Sequence, residues 1–581
     1  MGTLLILVVC FGAAIAAYTI SSIIHLLYNI REVRKSGLPY IILPWHEMNL
    51  FHVLTCGFNR DLWQYLPQWT YFKIFWRDWC HHTKFELFEK YGDVICAVSP
   101  GGVTIYVGSV EVARQMYERR NDFPKATKVY EYVRFYGDNV LTLEGAEWRR
   151  HSRYTHPPFN EGVHKVVWDE GVKQARAAVN VWSRQNSCLN IGRDLRTISM
   201  NVLSLSNFGV AMPFDYESET TEHFGWRNIP PGHKMSYGST VNHVLDNIIP
   251  LAIAPKWLLR NGPESLKRIG QSYDELGIYL KELTQDDGKS GASDGGNLLR
   301  ALVKASAGDG PGKGSRLTDA EVFGNAFIFA VAGLETTTGT LHYAIMYLAL
   351  NPDVQDWLYT DLQEALKDED QDPSKWEYGK VYPKMASVLC VIHETLRLNA
   401  PHMHIPKWTA GKYQPVNWKG KQCLIPPGAS AYITTTALHY NPSLWGDTVN
   451  GFHPQKWDLR SSSEGWVRTD PKTGVKTPIT PSETPRIGTQ SAPYCYLRTP
   501  VKGAFAPFSD GWRACVGKNF ALVEMAAVLA VLFRDCSVRI KRQEGETQGM
   551  ADNRGKSAIS NSKSYLTVMI RHDVELEWIR R

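Results

Sequence analysis

The first apolar stretch of the chain, residues 4–27, carries no formally charged side chain. At the rise of an α-helix these 24 residues span about 36 Å, which is enough to cross a bilayer. A cleaved signal peptide is the alternative, because residues 13–17 offer small side chains for cleavage. However, no Lys or Arg precedes the run, and the run continues well past residue 17. The pattern therefore favours a retained transmembrane helix.

Three basic residues, Arg31, Arg34 and Lys35, follow this run. By the positive-inside rule they lie on the cytosolic side of the membrane, so we expect the body of the protein to face the cytosol. Pro39 and Pro44 come next and stiffen the chain as it leaves the membrane.

The rest of the chain combines helical periods with a few strand-like runs. Helical patterns cover residues 84–91, 110–120, 318–350, 353–368, 388–398 and 521–533, and residues 165–290 are helical with loops. The strand-like runs 94–98 and 103–107 flank a Pro-Gly-Gly sequence, which predicts a hairpin. Residues 424–433 are typical of a strand, a turn and a second strand. Together these patterns predict a mainly α fold with a small β region, of the α+β class.

Composition places the body of the protein among ordinary globular proteins. Of its 581 residues, 44% are hydrophobic and 21% charged, and the net charge of +6 is spread along the chain, which gives no argument for nucleic acid. Ten cysteines without a Cys-x-x-Cys pair argue for a reducing compartment. We expect an anchor over residues 1–29, a linker over residues 30–59 and one large domain over residues 60–581.

A glycine-rich loop near the C-terminus, residues 505–517, contains the strongest chemical signal. Cys515 stands just before a predicted helix, whose N-terminal partial positive charge favours the thiolate, the form that ligates iron. Gly511 permits a tight turn, and Gly517 lets the backbone approach a flat ligand. Arg513 can pair with an acidic group, and Phe508 can shield the sulfur from water. A buried structural cysteine is the alternative for a lone Cys, but the full spacing F-x-x-G-x-R-x-C-x-G is rare by chance.

The longest predicted soluble helix, residues 318–350, begins with a capping-box pair, Thr318 and Glu321, and is apolar nearly all round. It therefore runs through the core. Inside it stand Glu335 and Thr336, and polar groups in a buried helix are costly unless they are satisfied or used. For an isolated Thr, a hydrogen bond back to the preceding turn is the simpler explanation.

The cysteine loop and the segment Ala332-Gly333-Leu334-Glu335-Thr336-Thr337 together resemble the cytochrome P-450 family, in its microsomal, membrane-anchored and fungal type. The resemblance covers roughly residues 60–581 and implies the P-450 fold in a catalytic domain. It implies a heme b cofactor whose iron is ligated by the Cys515 thiolate. It also implies that Glu335 and Thr336 deliver protons during oxygen activation and that Gly333 leaves room for oxygen.

Other family positions are matched or altered here. Trp148 matches a tryptophan that binds a heme propionate, but the arginine expected four residues later is Ser152, so His151 or Arg153 would have to substitute. Lys407 stands where an arginine often binds a propionate. The remaining cofactor-binding residues implied by the resemblance are Arg513, Phe508 and Gly517.

A buried ion pair is implied between Glu394 and Arg397, which are three residues apart on a predicted helix. The usual third member of this lock, an arginine, is replaced by Lys456. A lysine supplies charge but not a bidentate fork, so the tightness of the lock stays open. Residues 459–504 form an insertion that we expect to be solvated surface.

The resemblance implies a monooxygenase that inserts one oxygen atom from O2 into a lipophilic small molecule, as in secondary metabolism. Electrons would come from NADPH through a separate flavin-containing reductase, which would dock on a positive face with Arg149, Arg150 and Lys518. The expected location is the endoplasmic reticulum membrane, with a single span. Two alternatives remain: a heme-thiolate isomerase or dehydratase without external electrons, and a non-catalytic heme-binding protein.

Overall fold

The computed structural model describes residues 2–49, 52, 70–76, 78–185, 187–214, 228–286, 297–307, 316–461, 465–470, 473–479, 496–564 and 566–581. Part of the linker predicted over residues 30–59 and part of the insertion predicted over residues 459–504 lie outside these ranges. Within them the chain is mainly helical and has a small β region, as predicted from the sequence.

The α-helices are α1 (Gly2–Ser36), α2 (Trp79–Thr83), α3 (Glu86–Tyr91), α4 (Val110–Glu118), α5 (Gly145–Thr155), α6 (Glu161–Gln185), α7 (Ile191–Phe208), α8 (Tyr237–Asp246), α9 (Ile248–Ile253), α10 (Lys256–Asn261), α11 (Glu264–Asp286), α12 (Leu298–Ala307), α13 (Asp319–Leu350), α14 (Pro352–Ala365), α15 (Tyr378–Val381), α16 (Ala386–Leu398), α17 (Thr435–His439), α18 (Pro442–Trp445), α19 (Lys518–Asp535) and α20 (Gln548–Ser560). Short 3-10 helices cover Thr70–Phe75, Thr127–Val133, Pro373–Lys375, Tyr382–Lys384, Pro454–Trp457 and Gly511–Arg513.

The strands are β1 (Tyr40–Ile42), β2 (Val94–Ser99), β3 (Gly102–Val107), β4 (His404–Trp408), β5 (Gln414–Trp418), β6 (Lys421–Ile425), β7 (Ser430–Thr434), β8 (Val467–Thr469), β9 (Lys476–Pro478), β10 (Cys536–Ile540), β11 (Lys563–Ser564), β12 (Val568–Met569) and β13 (Leu576–Arg580). Five of them form a mixed sheet in the order β1-β2-β3-β7-β4. The predicted hairpin is its antiparallel pair β2–β3.

Helix α1 extends further than the predicted anchor. It runs to Ser36, and Val33 near its end is fully buried in the main core. Strand β1 then pairs in parallel with β2. Residues 30–42 are therefore packed against the domain and do not form a free connection. Over residues 9–36 the helix is long and apolar enough to span a membrane, by length and composition.

Helix α13 occupies the centre of the protein. The Thr318 hydroxyl accepts a hydrogen bond from the Glu321 N–H (3.3 Å) and Glu321 accepts one from the Thr318 N–H (2.8 Å), which confirms the predicted capping box. The helix packs against α7, and an added Cβ at Gly333 would lie 2.7 Å from the Leu203 side chain. This glycine therefore lets the two helices approach closely.

Residues 424–433 contain the end of one strand, a turn and a second strand, as predicted, but the two strands do not pair with each other. Strand β6 pairs with β5 in a separate two-stranded ribbon, whereas β7 enters the central sheet between β3 and β4. Burial explains the difference, because β7 is buried at four of its five positions and β6 alternates between exposed and buried side chains at its end. The turn between them redirects the chain from one sheet to the other.

Candidate functional site

The cysteine loop ends at the N-terminus of α19, as its sequence predicts. The Cys515 N–H donates to the Phe508 carbonyl (2.8 Å), which closes the loop on itself. Gly511 has a φ of 69°, and an added Cβ there would lie 3.1 Å from the Tyr117 carbonyl oxygen, so the turn requires glycine. Ser509 also has a positive φ, 61°, which is uncommon for a residue with a side chain. The loop therefore holds Cys515 in a defined, partly strained conformation.

The Cys515 side chain is accessible, although protein atoms surround it. Its side chain is exposed, yet burial raises the pKa of its thiol, while the Gly517 N–H and the Lys518 charge act in the opposite direction. The lowering that the helix N-terminus predicts is therefore present only as the smaller effect. A group that is accessible and desolvated at once faces an enclosed space inside the protein.

Gly517 keeps one side of the sulfur open. Its φ of −83° suits any residue, so conformation does not require a glycine here. An added Cβ would lie 3.9 Å from the Cys515 Sγ and 3.8 Å from the Phe159 ring. A side chain at this position would therefore compete with a flat ligand for the space beside the sulfur.

Trp148 on helix α5 lies next to the cysteine loop through contacts with two arginines. The guanidinium carbon of Arg513 is 4.5 Å from the Trp148 ring centre, and that of Arg120 is 4.7 Å away. The Arg513 Nη2 donates to the Leu143 carbonyl (2.8 Å), whereas its buried Nη1 has no partner in the described chain. The Trp148 indole N–H likewise makes no hydrogen bond with the described residues.

Two lysines, Lys407 buried and Lys125 partly buried, extend this group of basic side chains. Lys125 and Lys407 face each other in an isolated antiparallel bridge. Burial lowers the pKa of Lys407 to about 8 and that of Lys125 well below its usual range, and in both cases Arg513 adds to the lowering. Burial also lowers the pKa of Arg513 to about 10. Glu144 is the carboxylate that acts against these shifts, and it lies 3.7 Å from Arg513.

We call Arg120, Lys125, Lys407 and Arg513 the cation cluster. These four basic side chains, of which Lys407 is buried and the other three are partly buried, surround one carboxylate, and positive charge held there is costly without an anionic partner. The two propionates of heme would supply that partner, and the free Arg513 Nη1 and Trp148 N–H would be their donors. The residues present therefore fit a heme whose iron is held by Cys515.

The residues proposed to replace the missing arginine lie elsewhere. His151 is fully buried and lies between Glu321 (3.2 Å) and the Asn325 amide (2.9 Å) on helix α13. Arg153 is exposed, and Ser152 bonds to His156. Arg120 lies next to the Trp148 ring instead, and Lys125 lies beside Lys407. Sequence reasoning missed both because neither stands near a family motif, and only the tertiary fold brings them together.

One stripe of the otherwise buried helix α13 faces accessible space. Ala332 is exposed and Thr336, one turn later, is partly exposed, while their neighbours Leu334 and Glu335 are buried. Phe329, three residues before Ala332, is buried, and its ring lies 5.3 Å from that of Phe159. An added Cβ at Gly517 of the cysteine loop would lie 3.8 Å from the same Phe159 ring. The Phe329 and Phe159 rings thus connect this part of α13 with the cysteine loop.

The two polar residues of this helix have different surroundings. The Thr336 hydroxyl donates to the Ala332 carbonyl (2.8 Å), which is the bond expected of any helical Thr, and its lone pairs remain available as acceptors. The Glu335 carboxyl is 4% exposed and accepts a long bond from Thr567 (3.4 Å). Burial raises the pKa of Glu335, although the Arg196 and Arg571 charges oppose this shift. A buried carboxyl with a raised pKa is a candidate for proton transfer.

Two further polar side chains share the property of being accessible and desolvated. Tyr132 is 37% exposed, yet burial, with a contribution from Glu335, raises the pKa of its phenol. His402 is exposed, yet burial lowers its pKa to about 4, and Lys125 adds to the shift. Neither makes a hydrogen bond with the described residues. Their electrostatic interactions place Tyr132 near Glu335 and His402 near Lys125 of the cation cluster, and no local sequence signal singles them out.

The predicted Glu394–Arg397 lock is present in bidentate form. Arg397 donates to both carboxylate oxygens of Glu394 (2.8 Å each), and both residues are buried. The third partner is not Lys456, whose ammonium bonds to Thr448. Glu394 instead accepts from the Trp457 indole N–H (2.9 Å) and the His453 N–H (3.0 Å). The lock is therefore satisfied without an additional cation.

The predicted positive face is smaller than the sequence suggested. Arg149 and Lys518 are exposed beside Trp148 and Cys515. Arg150, however, donates to Glu321 and to Glu147. Burial raises the pKa of Glu321, but the hydrogen bonds from Arg150, the Thr318 N–H and His151, with the Arg150 charge, together outweigh it and hold that pKa at about 2. Arg150 therefore joins helices α5 and α13 and is not a free surface charge.

Comparison with known proteins gives one consistent result. A protein-family model described as Cytochrome P450 matches residues 64–568. A cytochrome P450 monooxygenase of Arthrobotrys oligospora is 28% identical over 96% of this chain and 97% of the relative. Cytochrome P450 monooxygenase ORF6 of Penicillium roqueforti is 28% identical over 90% of this chain and 89% of the relative. The Phomenoic acid biosynthesis cluster cytochrome P450 monooxygenase of Leptosphaeria maculans is 25% identical over 95% of each chain.

Proposed function

The chain belongs to the cytochrome P450 family, and from that premise we propose that it is a membrane-anchored heme monooxygenase that oxidises a lipophilic small molecule. The observation that carries this proposal is the accessible Cys515 thiol at a helix N-terminus, beside a cation cluster in which the buried Arg513 Nη1 has no partner in the described chain. When bound, heme supplies the iron at which dioxygen is activated and one oxygen atom is transferred to the substrate.

Each part of the site has one task in this proposal. Cys515, as the thiolate, is the single protein ligand of the iron. The cation cluster and the Trp148 N–H bind the propionates. Gly517 leaves the space beside the sulfur open for the macrocycle, and Phe508 holds the loop closed through its carbonyl. The Glu394–Arg397 lock fixes helix α16 and the adjoining 3-10 helix Pro454–Trp457 behind the loop.

Glu335 and Thr336 on helix α13 would supply the protons. Because burial raises its pKa, Glu335 holds a proton more readily than an exposed carboxyl does, and it can release that proton when charge develops nearby. Thr336 presents its hydroxyl at the accessible stripe of α13, where it can accept a hydrogen bond and relay a proton. Tyr132 and His402 lie on the same enclosed space and would orient a polar group of the substrate.

The proposed enzyme also needs a source of electrons and a location in the cell. Electrons come from NADPH through a flavin-containing reductase that docks near Arg149 and Lys518. Helix α1 anchors the protein in the endoplasmic reticulum membrane, and Arg31, Arg34 and Lys35 keep the catalytic domain in the cytosol. The membrane then supplies a lipophilic substrate, and the similarity to one biosynthesis-cluster enzyme supports a role in secondary metabolism.

The isomerase or dehydratase alternative is not favoured, because the similar proteins are named monooxygenases.

The proposed function is tested by co-expression with a reductase, followed by mass spectrometry of extracted metabolites under isotopically labelled dioxygen. Label in the product, together with NADPH consumption, is expected. Thr336→Ala should keep substrate binding but yield peroxide in place of product, and Thr336→Ser should restore coupling. A product formed without NADPH or label would contradict the proposal.

A further inference from the structure

The insertion between residues 459 and 504 contains a small hairpin that is attached to the protein interior. Strands β8 and β9 pair antiparallel, and β9 is exposed at every position. Trp466, just before β8, is only 4% exposed. Its ring lies edge-on to Trp445 (4.9 Å) and to Trp457 (5.1 Å). The expectation of solvated surface therefore holds for β9 but is wrong for Trp466.

The turn at Gly446 in the body of the protein accommodates this hairpin. Gly446 has a φ of 72°, and an added Cβ there would lie 2.0 Å from the Val467 carbonyl oxygen. The Asp447 N–H donates to that same carbonyl (3.1 Å), and the Thr469 N–H donates to the Asp447 carboxylate (2.9 Å). The turn at Gly446 thus accepts the hairpin backbone directly, which fixes the depth at which Trp466 enters.

The aromatic group that Trp466 enters continues to the cysteine loop. Trp457 lies 4.9 Å from Phe505, the first residue of that loop, and Phe505 is stacked between His393 (5.4 Å) and His439 (5.3 Å). We call these residues, with Trp445 and Trp466, the aromatic block. It is built from α16, α17, α18, the 3-10 helix Pro454–Trp457, the insertion and the loop itself.

A series of hydrogen bonds connects the aromatic block to Cys515. The Ala506 N–H donates to the His439 Nε2 (3.0 Å), while the His439 Nδ1–H donates to the Arg397 carbonyl (3.1 Å). The Ser509 N–H then donates to the Ala506 carbonyl (3.1 Å). The Cys515 N–H closes the loop on Phe508. A shift of Phe505 would therefore be transmitted to Cys515 through a short, continuous path.

We propose that Trp466 is a positioning residue for the cysteine ligand: the insertion supplies the side chain that completes the aromatic block behind Phe505. This inference rests on the proposed role of Cys515 as the iron ligand. Outer-shell groups that orient a ligand commonly change metal affinity or reactivity by roughly 10–100-fold when removed. Removal of a large buried aromatic leaves a cavity into which its neighbours can move. Movement of Trp457 would be the most disruptive, because its indole N–H also donates to Glu394.

The experiment compares Trp466→Ala, Trp466→Phe and Val475→Ala in the full-length holoprotein. Val475 belongs to the same hairpin but is 59% exposed, so its variant controls for nonspecific damage to the insertion. The dithionite-reduced carbon-monoxide complex is followed at a fixed temperature below unfolding. The readout is the rate at which its thiolate-type absorption converts to the neutral-thiol type. Circular dichroism on the same samples reports global folding.

We expect conversion to be roughly tenfold faster in Trp466→Ala at unchanged circular dichroism. Trp466→Phe should restore most of the wild-type rate, and Val475→Ala should match it. If Trp466→Ala fails to fold, a faster conversion in Trp466→Phe than in Val475→Ala supports the inference, and equal rates overturn it. Conversion that begins only at global unfolding would show that Trp466 merely stabilises the fold. A wild-type protein without thiolate-type absorption would overturn the proposed function and this inference together.

Discussion

The Arg513 guanidinium carbon lies 4.5 Å from the centre of the Trp148 ring, joining the cysteine loop to helix α5. The contact holds the guanidinium in place while its buried Nη1 remains without a partner in the described chain. An arginine fixed on an aromatic surface loses little entropy when an anion binds. The contact with Trp148 therefore preorganises Arg513 to bind a carboxylate.

Replacement of Arg513 by Leu should weaken heme retention by about 10–100-fold, because a charge-assisted hydrogen bond to a buried group is lost. Arg513→Lys should lose nearly as much, since a lysine cannot reproduce the planar contact with Trp148. The measurement is the rate of heme transfer to a heme-scavenging apoprotein. Arg149→Leu, at an exposed position on the same helix as Trp148, is the control. Equal transfer rates for all three variants would exclude Arg513 as a propionate ligand.

Arg397→Lys should destabilise the protein by about 3–5 kcal/mol, because one amine cannot replace the two bonds to Glu394 and the three to backbone carbonyls. Lys456→Met should cost far less, since its ammonium bonds to Thr448 and not to Glu394. Chemical denaturation of the two variants provides the comparison. A loss of stability for Lys456→Met as large as that for Arg397→Lys would show that Lys456 contributes to the lock.

Glu524 on α19 predicts a specific dependence of stability on pH. Its carboxyl oxygens are buried without a hydrogen-bond partner in the described chain, and burial raises its pKa from 4.5 to about 8, although the nearby Ser199 hydroxyl partly offsets this. The unfolded state ionises first as pH rises, so this group's contribution is greatest below pH 4.5 and is lost progressively up to about pH 8. The slope is about −1.4 kcal/mol per pH unit.

Glu524→Gln cannot ionise and should remove that component of the pH dependence. Thermal unfolding of the wild type and the variant across this pH range checks the prediction, because the variant should gain stability relative to the wild type as pH rises. Parallel curves for the two proteins would mean that Glu524 ionises normally in the folded state.

Reversal of the exposed charges Arg149 and Lys518 to Glu should slow reduction by an acidic reductase at low salt and flatten its salt dependence. Arg150→Glu should instead lower thermal stability, because Arg150 holds Glu321 between helices α5 and α13. Stopped-flow reduction and thermal unfolding of the same variants separate the two effects. Unchanged reduction rates in the double variant Arg149→Glu/Lys518→Glu would show that these residues are only solvated surface.

Local patterns allowed much of the fold to be predicted from sequence. The capping box of Thr318 and Glu321, the buried helix α13 and the hairpin β2–β3 all depend on neighbouring residues, and the structure confirms them. The position of Cys515 at a helix N-terminus depends on local sequence in the same way.

What could not be predicted depends on contacts between distant segments. Lys125 meets Lys407 only because two separate strand-like segments form a bridge. Trp457, and not Lys456, completes the lock because its indole is on the side of the 3-10 helix that faces Glu394. Trp466 lies in a polar insertion, where no periodicity indicates that one side chain enters the core.

The most direct test of the whole account is the reduced carbon-monoxide spectrum of Cys515→Ala beside that of the wild type and of Cys536→Ala. Cys536 is buried on β10 and serves as a matched control. We expect the thiolate-type absorption in the wild type and in Cys536→Ala, and its complete loss in Cys515→Ala. A Cys515→Ala protein that retains the thiolate-type spectrum would show that another residue holds the iron and would contradict the assignment of this site.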